Sequence, residues 1–153
     1  GHVIPALSGG WWKGTLCTDG SPRGYGVFEV DGDGVTWYYK STGCDADHQM
    51  VVYAGAEYPE FEGQVVANVW AADDNWKIEA RFDGGKAQEM ERFTAYDPQA
   101  RVMYADREKL DHPYVYPSAA DHFYRVVIPE GAKQVEVSAT DSFGRRYTQN
   151  ISL

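Results

Sequence analysis

Apolar and polar residues alternate along much of this chain, most clearly near its end. Between residues 134 and 140, Val135, Val137 and Ala139 occupy every second position among polar side chains. Residues 76–82 repeat the pattern, again with an apolar side chain at every other position. A period of two is typical of a β-strand with one buried and one solvent-facing side. Both segments are therefore predicted to be strands that cover a core.

Apolar runs between turn-forming residues extend this prediction to most of the chain. The further predicted strands cover residues 25–30, 35–40, 49–54, 64–70, 88–93, 122–128 and 145–152, and segment 9–18 is expected to lead into a first short strand. Strand 64–70 is expected to pair with strand 76–82, and the last three strands are expected to form a meander. About eight or nine short strands favour an all-β fold, an immunoglobulin-like β-sandwich.

A tight turn is predicted at Asp31-Gly32-Asp33-Gly34, between two of these strands. Glycine and aspartate tolerate positive φ, which a two-residue hairpin turn requires. A calcium-binding loop is the alternative interpretation. It is disfavoured because Val35 and Thr36 stand where such a loop needs an oxygen ligand and a glycine.

One short helix is predicted within residues 97–110. Asp97 is a residue type that caps helix N-termini, and Pro98 is well suited to the first helical position. An extended loop is the alternative for this segment. The connection that follows, residues 111–120, contains proline and is expected to be irregular.

Length and charge limit what the chain can be. Its 153 residues, 43% of them hydrophobic, are predicted to form a single domain over residues 1–153, with Gly1 and His2 interpreted as a cloning remnant. The 14 basic and 23 acidic residues give a net charge of −9, which argues against nucleic acid as a partner. No apolar run approaches the length of a membrane span, so no membrane insertion is expected.

Aromatic residues are the main candidates for an interaction surface. Trp76 shares its predicted face with other apolar residues and is expected in the core. Trp11 and Trp12 are adjacent, and neighbouring residues of a strand point to opposite sides, so both cannot enter one core. Tyr38 faces away from its two aromatic neighbours. Trp11, Trp12 and Tyr38 are therefore the candidate residues for contact with another domain or with a ligand.

Several motifs, in this order and spacing, resemble one known family. They are Gly10-Trp11-Trp12, Asp19-Gly20-x-Pro22-x-Gly24-Tyr25, Trp37-Tyr38-Tyr39-Lys40, Ala67-Asn68-Val69-Trp70-x-x-Asp73-x-x-Trp76-Lys77-Ile78-Glu79, His122-Phe123-Tyr124-Arg125 and Val137-x-Ala139-Thr140-Asp141-x-Phe143-Gly144-Arg145-x-Tyr147. From about Ser8 to Ile151 the chain resembles the C-terminal domain of bacterial calcineurin-like metallophosphoesterases.

The resemblance implies a non-catalytic accessory domain that follows a metal-dependent phosphoesterase domain. Its partner would be that catalytic domain, on which it would dock, supporting stability or substrate access. The divalent metals would belong to the catalytic domain, with no cofactor here. The resemblance also implies a periplasmic or extracellular location. A carbohydrate- or cell-surface-binding module that uses exposed aromatic residues, with a glycan as partner, is the alternative.

The sequence itself offers no catalytic residues. Ligands of the two metals in the calcineurin-like family occur in the motifs Asp-x-His, Gly-Asp-x-x-Asp, Gly-Asn-His and Gly-His-x-His, and the sequence lacks all four. His48, His112 and His122 each follow an aspartate, but neighbours in a strand point apart, so they are interpreted as turn or strand-edge residues. No metal site is predicted.

Two cysteines are present, Cys17 and Cys44. Two separate thiols are the favoured interpretation. A disulfide is the alternative, because the presence of two cysteines does not show whether they are bonded to each other.

Overall fold

The structure, a computed structural model, describes residues 4–8 and 14–153. In these residues ten strands form three antiparallel sheets. The strands are β1 (Gly24–Asp31), β2 (Gly34–Ser41), β3 (Met50–Ala54), β4 (Gln64–Val69), β5 (Lys77–Phe82), β6 (Gln88–Glu89), β7 (Glu91–Tyr96), β8 (Ala119–Val127), β9 (Gln134–Thr140) and β10 (Arg146–Ser152). The all-β prediction is confirmed, with one or two strands more than expected.

The chain divides into two compact units. The first comprises residues 1–49 and 95–120, and the second comprises residues 50–94 and 121–153. The expectation that residues 1–153 form a single domain stays a prediction.

The second unit contains the sandwich. One sheet has the strand order β10-β9-β5-β6, and the other has the order β3-β4-β8-β7. Alternate side chains of both sheets meet in one apolar core, whose buried members are Met50, Val52, Val65, Ala67, Val69, Ile78, Ala80, Phe82, Met90, Tyr124, Val135, Val137 and Ala139. The alternation in β5 and β9 therefore predicted the buried face of one sheet correctly.

Two predicted pairings are wrong. β4 pairs with β3 and β8, whereas β5 pairs with β6 and β9, so the chain changes sheet between β4 and β5. The chain changes sheet again between β8 and β9, and only β9 and β10 form the hairpin expected of a final meander. Both connections cross from one layer of the sandwich to the other, because each sheet must supply one wall of the core.

The predicted strand 88–93 is two strands with a break at Met90. The backbone N–H of Met90 donates to the carbonyl of Ile78 at 2.9 Å, and its side chain is buried in the core. β6 ends before this residue and β7 begins after it. The break allows one chain segment to serve both sheets, since β6 pairs with β5 and β7 pairs with β8.

The first unit is built on the hairpin of β1 and β2. The register pairs Asp31 with Gly34, so Gly32 and Asp33 form the two-residue turn, and Gly32 has a φ of 57°. The hairpin interpretation of this segment is therefore confirmed. Leu16 and Pro22 form an isolated antiparallel bridge within segment 14–24.

The predicted helix is present but short. α1 (Pro98–Met103) begins after Asp97, whose side chain accepts a hydrogen bond from the backbone N–H of Ala100 at 2.9 Å. A separate 3₁₀ turn covers Arg107–Lys109. Ala100, Tyr104 and Val115 form a small buried cluster on this helix and the connection after it.

Candidate interaction surfaces

The structure describes one of the three residues that were predicted for an interaction surface. Trp11 and Trp12 lie outside the described residues. Tyr38 lies on β2, directly opposite Val27 of β1, and is half-buried. Trp37 and Tyr39 lie on the other face of the hairpin, as the alternation predicted. A contact surface at Trp11, Trp12 and Tyr38 stays a prediction.

One face of the β1–β2 hairpin is apolar and exposed near the turn. Val30 lies opposite Val35 in the register, and Phe28 lies opposite Trp37, so all four side chains share this face. Val30 is 71% exposed, Val35 53% and Phe28 46%. We call these four residues the hairpin face.

The rings of Phe28 and Trp37 give the hairpin face a defined shape. Their centroids are 6.4 Å apart, and their planes are inclined by 27°. This near-parallel stack is a favourable arrangement for neighbouring aromatic side chains. The opposite face of the hairpin is more polar, and there the Thr36 hydroxyl donates to the Glu29 carboxylate at 3.4 Å.

The other end of the hairpin is anchored in its own unit. Tyr39 is 1% exposed, and its hydroxyl donates to the backbone carbonyl of Pro22. The Tyr39 ring lies against the backbone of Gly24, where a Cβ atom would fall 2.5 Å from the ring. Burial raises the pKa of Tyr39 well above its usual range. The hairpin is therefore buried at one end and exposed at the turn.

The three aspartate-preceded histidines have separate polar partners. His48 Nδ1 lies 3.4 Å from the Ser41 hydroxyl, and His112 Nδ1 lies 3.3 Å from the Tyr114 hydroxyl. His122 Nδ1 lies 2.7 Å from Asn68 Oδ1. Across residues 4–8 and 14–153, no group of three or more histidine, cysteine, aspartate or glutamate side chains is arranged to hold a metal ion.

Cys17 and Cys44 are both free thiols, and each is partly buried. Burial raises the pKa of the Cys17 thiol, although a backbone hydrogen bond with Ala6 opposes this shift. A thiol whose pKa is raised is a poor nucleophile at neutral pH. Cys17 therefore does not resemble a catalytic cysteine.

Sequence reasoning missed Phe28, Val30 and Val35 as surface residues. They lie in strands that the pattern did predict, and their exposure follows from the turn. A two-residue turn at Gly32 and Asp33 fixes which residues lie opposite each other, and it places these apolar side chains together on one face. The strand pattern combined with the turn type would have identified the hairpin face.

The ten strands in three antiparallel sheets define an all-β protein. The chain matches the family model "C terminal of Calcineurin-like phosphoesterase" over residues 1–147. It therefore belongs to this family, which is the non-catalytic C-terminal part of a phosphoesterase. No curated protein and no solved structure gives a significant match. None of the helices in the described residues is both long enough and apolar enough to cross a membrane.

Proposed function

We propose that this chain is an accessory domain that docks on the catalytic domain of a calcineurin-like phosphoesterase in the same polypeptide. In this role it supports the stability of the catalytic domain or helps to shape substrate access. Membership of the C-terminal family supports the choice of partner. The observation that carries the proposal is the exposed part of the hairpin face, because the side chains of Val30 and Val35, 71% and 53% exposed, favour contact with another surface over contact with water.

Docking within one polypeptide fits a patch of this kind. Interfaces between domains of one chain are moderate in area and more polar than obligate interfaces. Covalent linkage raises the effective concentration of the partner domain to the millimolar range, so a small apolar patch is sufficient. An isolated two-stranded hairpin is also marginally stable in water, and a docking partner would stabilise its exposed end.

The test compares two surface valines in the full-length phosphoesterase. Val30→Ser removes apolar area from the hairpin face, and Val127→Ser removes the same area from β8. The two side chains are almost equally exposed, at 71% and 69%. We expect Val30→Ser to lower the thermal unfolding midpoint of the catalytic domain and to increase hydrogen exchange in the hairpin. Val127→Ser should change neither quantity.

Val35→Ser provides a second variant on the same face, since Val35 lies opposite Val30. Equal behaviour of Val30→Ser, Val35→Ser and Val127→Ser in the full-length protein would contradict docking through the hairpin face. A crystal structure of the full-length protein with Phe28 in solvent would contradict it as well.

Carbohydrate binding is a second candidate use of the same face. The exposed ring of Phe28 supports it, since the face of an aromatic ring can pack against a sugar ring. A glycan array and calorimetric titration of this chain, compared with Phe28→Ala, test this use. Absence of binding at millimolar sugar would exclude it.

The remaining properties of the parent protein follow from the same proposal. Its divalent metals would be held by the catalytic domain. Its periplasmic or extracellular location also stays a prediction, and fractionation of cells that produce the full-length protein tests it.

A further inference from the structure

A cleft of about 510 Å³ opens on the second unit, remote in sequence from the hairpin face. Its lining comes from the segment before β5, from β6 and β7, and from β8. The lining residues are Asp73, Asp74, Trp76, Glu89, Met90, Glu91, Arg92 and Tyr124. The volume falls within the range of small-molecule sites in proteins.

The lining of the cleft is negatively charged. It contains four carboxylates and one guanidinium, that of Arg92. Arg92 is already engaged, because it donates to the Asp74 carboxylate and to the backbone carbonyl of Asp121 at 2.6 Å. Its Nη2 atom also lies 3.2 Å from the Asp121 carboxylate. Arg92 therefore neutralises its own aspartates and leaves little positive charge for a ligand.

Two of the four carboxylates have no cationic partner within the described part of the chain. Asp73 accepts hydrogen bonds from the backbone N–H of Asn75 at 2.8 Å and from the Ser142 hydroxyl at 3.2 Å, neither of which carries charge. Glu89 is exposed and makes no ion pair with a described residue. These two carboxylates give the cleft an uncompensated negative charge.

Tyr124 is a second reason to expect a ligand in the cleft, and it is independent of the charge of the lining. Its side chain is 6% exposed and lines the cleft, yet no described residue forms a hydrogen bond with its hydroxyl. The hydroxyl itself is not enclosed by the protein, so a ligand in the cleft can reach it. Burial raises the pKa of Tyr124, so the hydroxyl is neutral at physiological pH and can both accept and donate.

The remaining wall of the cleft is apolar. Trp76 is half-buried beside the core and stacks on Tyr147, with ring centroids 6.0 Å apart and planes inclined by 22°. This contact fixes the orientation of the indole. The faces of tryptophan and tyrosine rings attract cations. An aromatic wall beside unpaired carboxylates is thus suited to an organic cation.

We propose that this cleft binds a small primary amine. An ammonium group has three donors, and Asp73, Glu89 and the Tyr124 hydroxyl offer acceptors for them. The alkyl chain of the amine would lie against Trp76 and Met90. The negative lining disfavours phosphate and other anions, and no described group of side chains fits a metal ion.

Calorimetric titration of this chain with 1,5-diaminopentane at neutral pH tests the proposal. Two variants remove acceptors, Glu89→Gln at an exposed position and Tyr124→Phe in the buried wall. Glu130→Gln, at an exposed position in the turn after β8, is the matched control. We expect saturable binding that each cleft variant weakens about three- to tenfold, since each loses one hydrogen bond to a charged group. The control should bind like the unchanged chain, and added salt should weaken binding.

Glucose serves as a neutral probe with many hydroxyl groups. Binding of glucose as tight as that of the diamine would overturn the assignment in favour of a sugar site. Absence of saturable diamine binding, or binding that Glu89→Gln leaves unchanged, would overturn it too. Circular dichroism checks the fold of Tyr124→Phe, and the Glu89→Gln result decides the proposal if that variant unfolds.

Discussion

Gly20 lies directly against Asp97 in the first unit. A Cβ atom at residue 20 would fall 2.2 Å from the Cβ of Asp97, and Gly20 has a φ of 84°. Asp97 is fully buried, and its side chain caps α1 by accepting from the Ala100 N–H. The loop that begins at residue 19 is therefore packed against the start of the helix, and only glycine fits there.

Gly20→Ala should destabilise the first unit strongly. A methyl group at this position meets the Asp97 side chain, and alanine is strained at positive φ. We expect a loss of about 2–4 kcal/mol in the free energy of unfolding. Gly43→Ala is the matched control, because Gly43 has a φ of 81° but no atom within 4 Å of its added Cβ. It should cost only about 1 kcal/mol. Urea unfolding compares the two variants, and equal losses would contradict the close approach.

Tyr39→Phe should lower stability by about 1–2 kcal/mol, because the carbonyl of Pro22 loses its donor in a buried place. The effect has a pH dependence with a definite sign. The fold raises the pKa of Tyr39, so the unfolded chain ionises first as pH rises. The stabilisation is complete below about pH 10 and is lost as pH rises toward the folded pKa. Urea midpoints of both proteins over an alkaline pH series measure this difference, which should shrink with rising pH.

Asp141 organises the turn between β9 and β10. Its Oδ1 atom accepts from the backbone N–H groups of Phe143 and Arg145 at 2.9 and 2.8 Å, and Oδ2 accepts from Arg145 Nε at 2.7 Å. The side chain of Asp141 is only 2% exposed. Oδ2 also accepts from the Tyr147 hydroxyl at 3.4 Å. Asp141→Ala removes all four bonds, and we expect a loss of about 2–4 kcal/mol.

The control for this variant is Asp106→Ala. Asp106 forms an ion pair with Lys109 at 2.7 Å, but the two side chains are 50% and 84% exposed. Exposed pairs contribute at most about 1 kcal/mol. Thermal unfolding of both variants tests the difference, and a smaller effect of Asp141→Ala than of Asp106→Ala would refute the assigned role of Asp141.

The strand pattern predicted local structure well because alternation is a local signal. β9 spans residues 134–140, the range that the alternation of its valines predicted, and β5 begins one residue later than expected. Trp76 shows the limit of this reasoning. It packs against the core as predicted, yet it precedes β5, remains half-buried and lines the cleft. The end of a strand, where a side chain meets both core and solvent, is not marked by the pattern.

The layer to which each strand belongs could not be predicted from the sequence. The connections from β4 to β5 and from β8 to β9 contain the same turn-forming residue types as true hairpins. Whether such a turn closes a hairpin or crosses between layers depends on partners far along the chain, such as β9 for β5. The cleft was missed for a related reason, since its residues come from three separated segments, and only pairing of the strands brings them together.

Glu91 and Arg125 provide the last test, by NMR titration. Arg125 Nε donates to Glu91 Oε2 at 3.0 Å and Nη2 donates to Oε1 at 3.2 Å, and this two-pronged contact lowers the pKa of Glu91. A lowered carboxyl pKa gives a stabilisation that is present at neutral pH and is lost as pH falls below the usual glutamate value of about 4.3. Arg125→Met should raise the pKa of Glu91 toward that value. Arg146→Met, which disrupts the separate pair with Glu136, should leave it unchanged. An identical Glu91 titration in the unchanged chain and in Arg125→Met would show that the contact is not formed in solution.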